Sequence, residues 1–142
     1  MRRELHASCA SLDGAAVLLL GPSGSGKSDL LLRLLDRGFS LVADDRVVIE
    51  AGKAAPVPGL EGLIEMRGLG ILRHAYEAPV RLALAFELSP AVPERLPPRM
   101  ARQFHELPLL ALDPRPASAP LFVARALACL RDPRLMQTGA FA

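Results

Sequence analysis

Short apolar runs broken by turn residues dominate this chain, and long amphipathic stretches are few. Ala15-Ala16-Val17-Leu18-Leu19-Leu20 carries no polar position at all, the pattern of a strand buried on both faces. After the glycine-rich segment 21–26, the leucines of residues 27–37 recur at helical spacing, and Gly38 predicts a C-cap. Residues 4–12 alternate weakly and predict one strand. Phe39-Ser40-Leu41-Val42-Ala43 predicts another short strand, ending on Asp44-Asp45. Residues 46–50 and 54–57 flank Ala51-Gly52-Lys53 and predict a hairpin, followed by a loop over 58–62. Val80 to Leu88 alternates cleanly. Prolines at 90, 93, 97 and 98 exclude regular helix or a central strand, so 89–98 reads as a surface loop or mobile segment. Residues 106–112 predict a last strand, and Leu121 to Leu130 a helix with Ser118 as its N-cap. No internal repeat is present.

Composition narrows the class. The chain has 142 residues, enough for one domain with a core of ordinary proportions, and residues 1–142 are read as a single domain. Hydrophobic residues make up 51% but aromatics only 4%, so the core is expected to be aliphatic. The apolar runs are too short to span a bilayer, and Met1-Arg2-Arg3-Glu4-Leu5-His6 has no apolar segment behind its arginines that would make a secretory signal. Cys9 and Cys129 fit neither a disulfide framework nor metal-ligand spacing. Together these features predict a cytoplasmic protein without a membrane partner. The net charge is +2, and lysine occurs only at positions 27 and 53. No basic tract is interleaved with aromatics, so nucleic-acid binding is not expected.

The chemistry begins at Gly21-Pro22-Ser23-Gly24-Ser25-Gly26-Lys27-Ser28, which fills every fixed position of G-x-x-x-x-G-K-[ST] between a strand and a helix. Glycines 21, 24 and 26 let the backbone turn tightly, so that amides and the following helix N-terminus cradle a polyphosphate. Lys27 is expected at the β- and γ-phosphates and Ser28 at Mg²⁺. Asp44 and Asp45, at a strand end, alternate faces and should do different jobs. One would hold metal while the other accepts a proton, or the pair simply favours the turn before the hairpin. His6 on spacing alone reads as structural or exposed. Glu65-Met66-Arg67-Gly68-Leu69-Gly70-Ile71 reads alone as a glycine-bent strand carrying a charged pair.

Taken together, His6, the Gly21–Ser28 loop, Leu41-Val42-Ala43-Asp44-Asp45 and the Glu65–Ile71 string resemble the catalytic domain of HPr kinase/phosphorylase. They do so in order over roughly residues 4–88. The resemblance implies an α/β P-loop kinase domain similar to phosphoenolpyruvate carboxykinase, with a strand-rich mixed sheet and a helix after the P-loop. It implies ATP- and Mg²⁺-dependent phosphorylation of a serine of HPr, the small phosphocarrier of the phosphotransferase system. The reverse reaction would use inorganic phosphate and give pyrophosphate. Residue by residue, Asp44 matches the family's general base and His6 a histidine close to that base. Asp45 and Ser28 match metal-associated positions, and Glu65 and Arg67 match an active-site pair near metal and phosphate. Lys27 joins Asp44, His6 and Arg67 in the catalytic set, with Ser28, Asp45 and Glu65 at the metal. A homo-oligomer, a hexamer in the family, is also implied. The chain looks like the short form of alphaproteobacteria, without the additional N-terminal domain, and curtailed after the signature. Arg115 in the stretch 112–120 either replaces the family's basic loop or is an ordinary surface residue. Two other readings of the same residues are a small-molecule kinase and a nucleotide sensor without phosphotransfer.

Overall fold

Residues 4–12, expected as one strand, break at His6 into β1 (Arg3–Leu5) and β2 (Ala7–Leu12). The two halves pair with different neighbours: β1 lies against β5 (Val47–Glu50), whereas β2 lies between β3 (Ala15–Leu20) and β4 (Ser40–Ala43). The computed structural model describes residues 2–91, 93–99 and 102–142. In it the apolar run 15–20 is a central strand, and the glycine loop opens directly into α1 (Lys27–Asp36).

The end of α1 follows from Gly38. At φ 95° it takes the left-handed conformation, and the Gly38 and Phe39 amides donate to Leu35 O and Leu34 O. This is the paired-bond stop in which glycine escapes the Cβ penalty and the next apolar residue packs back on the helix. Phe39 and Leu34 share one core cluster. The expected hairpin is β5 with β6 (Lys53–Pro56), closed by Ala51 and Gly52, both at positive φ as a tight two-residue turn demands. The signature string is also a hairpin, β7 (Leu63–Met66) with β8 (Gly70–Arg73), in a separate two-stranded sheet.

The central partner of β3 is β9 (Val80–Leu88), running parallel to it. The other edge of β9 is shared by β6 at its start and by β11 (Leu107–Leu112) at its end, and β10 (Gln103–Phe104) flanks β11. The architecture is the expected strand-rich mixed sheet with a helix after the loop. Residues 89–91 and 93–99 have no regular structure, as the prolines require, and Val92 lies outside the described residues. The closing helix α2 (Ala119–Arg131) forms as expected, but Ser118 makes no side-chain cap bond. Its backbone is already helical, while a capping serine takes an extended conformation. Pro120 in the first turn, where no amide is missed, suits the helix start.

Two aliphatic clusters fill the faces of the sheet. One joins Val17, Leu19, Leu84 and Phe86 to α1 and α2, and the other gathers Ala7, Cys9, Leu18, Val42 and Val80 on the opposite face. The alternation of β9 suggests that Val80, Leu82, Leu84, Phe86 and Leu88 share a face. They do not, because a bulge at Ala83 shifts the register against β3 and exchanges the faces midway.

Candidate functional site

Strand direction decides where the candidate residues meet. Antiparallel β2 sits between β3 and β4, with Ala7 opposite Leu20 and Cys9 opposite Ala43. The N-terminal end of β2, carrying His6 and Ser8, therefore lies beside the carboxyl ends of β3 and β4. The loop 21–28 leaves the first of these and Asp44-Asp45 the second. Open α/β sheets place their ligands at that end.

Within the loop, Gly26 at φ 100° is the N-cap of α1 and its carbonyl accepts the Leu30 amide. A Cβ there would stand 3.2 Å from Pro114 Cγ, so the loop is also packed from outside. Arg33 on α1 holds this outer segment by donating to the carbonyls of Pro114 and Pro116. Lys27 is only 5% exposed. Its Nζ donates to Gly21 O at 2.7 Å and Pro22 O at 3.0 Å, and among the described residues it has no carboxylate partner. A buried ammonium held by carbonyls alone keeps its full demand for a counter-charge. Ser25 Oγ is buried without a hydrogen-bond partner. The donors and the missing negative charge fit a polyphosphate.

The acidic pair is divided by a bulge. Across β2, Cys9 faces Ala43 and Ala10 faces Leu41, so Val42 is the extra residue. Val42 and Ala43 both turn into the second cluster while Leu41 faces the helices. Strict alternation from Leu41 would have sent Asp44 away from the P-loop; the extra residue returns it. Asp44 Oδ1 accepts from Ser28 Oγ at 2.8 Å and from the buried Ser8 Oγ at 3.1 Å. Asp45 lies at φ 67°, and the Arg46 amide donates to Asp44 O at 2.8 Å. That is a γ-turn of the rare positive-φ kind, a conformation costing about 1–3 kcal/mol and found mostly at functional sites. The turn sends the Asp45 carboxylate to His6, with Nε2 to Oδ1 at 2.5 Å. His6 thus stands at the acidic pair, and its hydrogen bond is made to Asp45, the residue following Asp44.

Magnesium, implied by the resemblance, takes oxygen ligands and keeps several of its waters. The hydroxyl of Ser28 and the carboxylate of Asp44 are donors of this kind at the first turn of α1, so the site fits the ion. Asp45 offers an exposed carboxylate one residue further on. Among the described residues, no three His, Cys, Asp or Glu side chains group as ligands of one ion. Glu65 and Arg67 are exposed on the β7–β8 hairpin, and the structure joins neither to the P-loop or the aspartates by a hydrogen bond. Arg115, by contrast, lines a cleft of about 240 Å³ with Gly24, Gly26, Asp29 and Arg33 at the rim of the P-loop. It is held by Asp113 Oδ1 and Oδ2, each at 3.0 Å, and by Pro90 O. Hydrogen bonds from Arg115 keep the Asp113 carboxyl below its ordinary range. Ser8 is the residue that sequence reasoning missed. A serine inside a weakly alternating strand gives no local signal of its partners.

The sequence matches the profile described as HPr Serine kinase C-terminal domain over residues 1–77. It is 33% identical over 151 aligned positions to the HPr kinase/phosphorylase of Azoarcus sp. strain BH72, covering 95% of this chain and 47% of that protein. With the HPr kinase/phosphorylase of Lacticaseibacillus casei strain BL23 it is 42% identical over 78 positions, covering 50% of this chain and 24% of the relative. The chain thus spans between a quarter and a half of the length of these curated relatives. The solved structure of the Hpr(Ser) kinase/phosphatase from Coxiella burnetii superposes with a TM-score of 0.71 at 24% identity. That superposition covers 94% of this chain and 91% of the other and establishes a shared fold.

Proposed function

Because the chain belongs to the HPr serine kinase C-terminal domain family, we propose that it transfers the γ-phosphoryl group of ATP to a serine hydroxyl of HPr or an HPr-like phosphocarrier. The observation that carries the reading is Lys27, a buried cation with no acidic partner among the described residues, close in sequence to Ser28 with its bonded Asp44. The loop amides and Lys27 bind and orient the phosphates, which is most of what phosphoryl transfer asks of a protein. Mg²⁺ held by Ser28 and Asp45 would supply charge neutralisation when bound. Asp44 acts as the general base. Its Oδ1 is engaged by two hydroxyls, leaving Oδ2 to take the proton of the incoming serine. The serine oxygen then bonds to the γ-phosphorus as the bond to the β-phosphate oxygen breaks. We assign Glu65 and Arg67 to the same centre, near the metal and phosphate.

In the reverse direction, Asp44 takes the proton of inorganic phosphate, whose oxygen bonds to the phosphoserine phosphorus as the serine O–P bond breaks. Asp44 passes the proton to the departing serine oxygen, and pyrophosphate is the other product. We place this chemistry in the cytoplasm, in a homo-oligomer, as part of phosphotransferase regulation. No helix among the described residues is long and apolar enough to cross a membrane.

A second reading rests on the 2.5 Å contact of His6 with Asp45, which would make that exposed pair the proton acceptor and leave Asp44 to the cation. Incubation with ATP, Mg²⁺ and HPr, read by the mass of HPr, tests both. Asp44→Asn should abolish the mass gain while nucleotide still binds, and Asp45→Asn should raise the Mg²⁺ concentration needed for half-maximal transfer. The opposite pattern selects the second reading. Absence of transfer to any acceptor despite ATP binding leaves a nucleotide sensor, and transfer only to small hydroxyl compounds leaves a small-molecule kinase.

A further inference from the structure

Ser8 is completely buried, on the first residues of β2, and a buried hydroxyl must have its polar demands met. Both are met by the acidic pair. The hydroxyl donates to Asp44 Oδ1 at 3.1 Å and accepts the Asp45 amide at 3.2 Å. One atom thus grips the side chain of the first aspartate and the backbone of the second. The peptide unit it grips forms the positive-φ γ-turn closed by the Arg46 amide on Asp44 O. Asp45 has no glycine's freedom to sit there, so the turn persists only while its surroundings over-determine it.

We propose that Ser8 is a positioning residue, whose hydroxyl holds the strained turn and so aims Asp44 at Ser28 and Asp45 at His6. Its kinetic consequence rests on the phosphotransfer reading; its structural consequence does not. Without the hydroxyl, Asp44 Oδ1 keeps only the Ser28 donor, the Asp45 amide has no acceptor, and the turn relaxes toward ordinary backbone. Lys27 donates to Gly21 O and Pro22 O and makes no hydrogen bond to Ser8, so nucleotide binding should persist.

The experiment compares the full chain with Ser8→Ala and Ser8→Thr, by amide hydrogen exchange, thermal unfolding and steady-state transfer to HPr. In Ser8→Ala the Asp45 and Arg46 amides should exchange at least about tenfold faster, with Ala10 and Val17 unchanged. The kcat should fall about ten- to a hundredfold with KM for ATP within about twofold, the scale of one lost hydrogen bond to a charged group. Ser8→Thr, which keeps the oxygen, should restore kcat and the exchange rates. Equal protection of the Asp45 amide in Ser8→Ala and the parent overturns the proposal at any level of activity, including none. So does an unchanged kcat in a parent that transfers phosphate. If the parent binds ATP but transfers nothing, the phosphotransfer reading falls, and the exchange rates still decide whether Ser8 holds the turn. Should Ser8→Thr fail to fold, the Ser8→Ala exchange pattern and kcat-to-KM split decide alone.

Discussion

Replacing Gly62 by alanine tests how the signature hairpin is anchored. Gly62 is buried at φ 68°, and a Cβ there would meet His74 O at 2.6 Å and Tyr76 Cδ1 at 3.1 Å. His74 O cannot swing aside as a side chain would, since the His74 amide bonds back to Gly62 O at 2.7 Å. The left-handed backbone costs an alanine about 1–2 kcal/mol. Forcing the contact apart adds about 1–3 kcal/mol, as overpacking does, and the stiffer unfolded chain returns about 0.4–1 kcal/mol. The expected loss is about 2–4 kcal/mol. Gly59→Ala provides the control, for it shares the positive φ (92°) but meets nothing within 4 Å. It should lose about 1 kcal/mol or less. Urea unfolding with matched m-values measures both. Two variants equal within about 0.5 kcal/mol would refute the close approach as the reason for glycine at 62. Because the hairpin carries Glu65 on β7 and Arg67 in its turn, Gly62→Ala should also reduce kcat while leaving ATP affinity unchanged.

Lys27→Ala should weaken ATP binding by at least about a hundredfold in calorimetric titration, with folding retained; tight binding in this variant would defeat the argument from its unmatched charge. Phe86 is fully buried and meets Phe122 edge-on at 6.2 Å between ring centres, so Phe86→Ala should cost about 3–5 kcal/mol in denaturant unfolding. Burial pushes the Cys9 thiol well above its usual range, so it stays neutral in the folded protein while the unfolded chain ionises near pH 8.5. Stability should therefore be complete below that pH and fall by about 1.4 kcal/mol per unit above it, and Cys9→Ala should flatten this alkaline limb in unfolding curves.

How much of this was legible depended on how local the cause is. The P-loop could be read because glycines, lysine and serine act within eight residues, between a strand and a helix that their own composition defines. The turn at Ala51-Gly52 and the stop at Gly38 were legible for the same reason, each being a backbone requirement met by the residue at that position. The signature string looked like a single bent strand, and only pairing shows it as a hairpin. The Ser118 cap failed because a favourable residue type does not fix the backbone angle that capping needs.

What the sequence determined by itself is the polyphosphate loop, the aliphatic strands around it and an acidic pair at a strand end. The assignment of each aspartate was left to tertiary structure. A strand's faces alternate only while its register holds, and one extra residue at Val42 reverses everything after it. That extra residue brings Asp44 to Ser28, and the strained turn held by Ser8 then sends Asp45 to His6. The same effect at Ala83 divides β9 between the two clusters. Such bulges are settled by pairing with strands far along the chain, so the local pattern of polar and apolar residues cannot announce them.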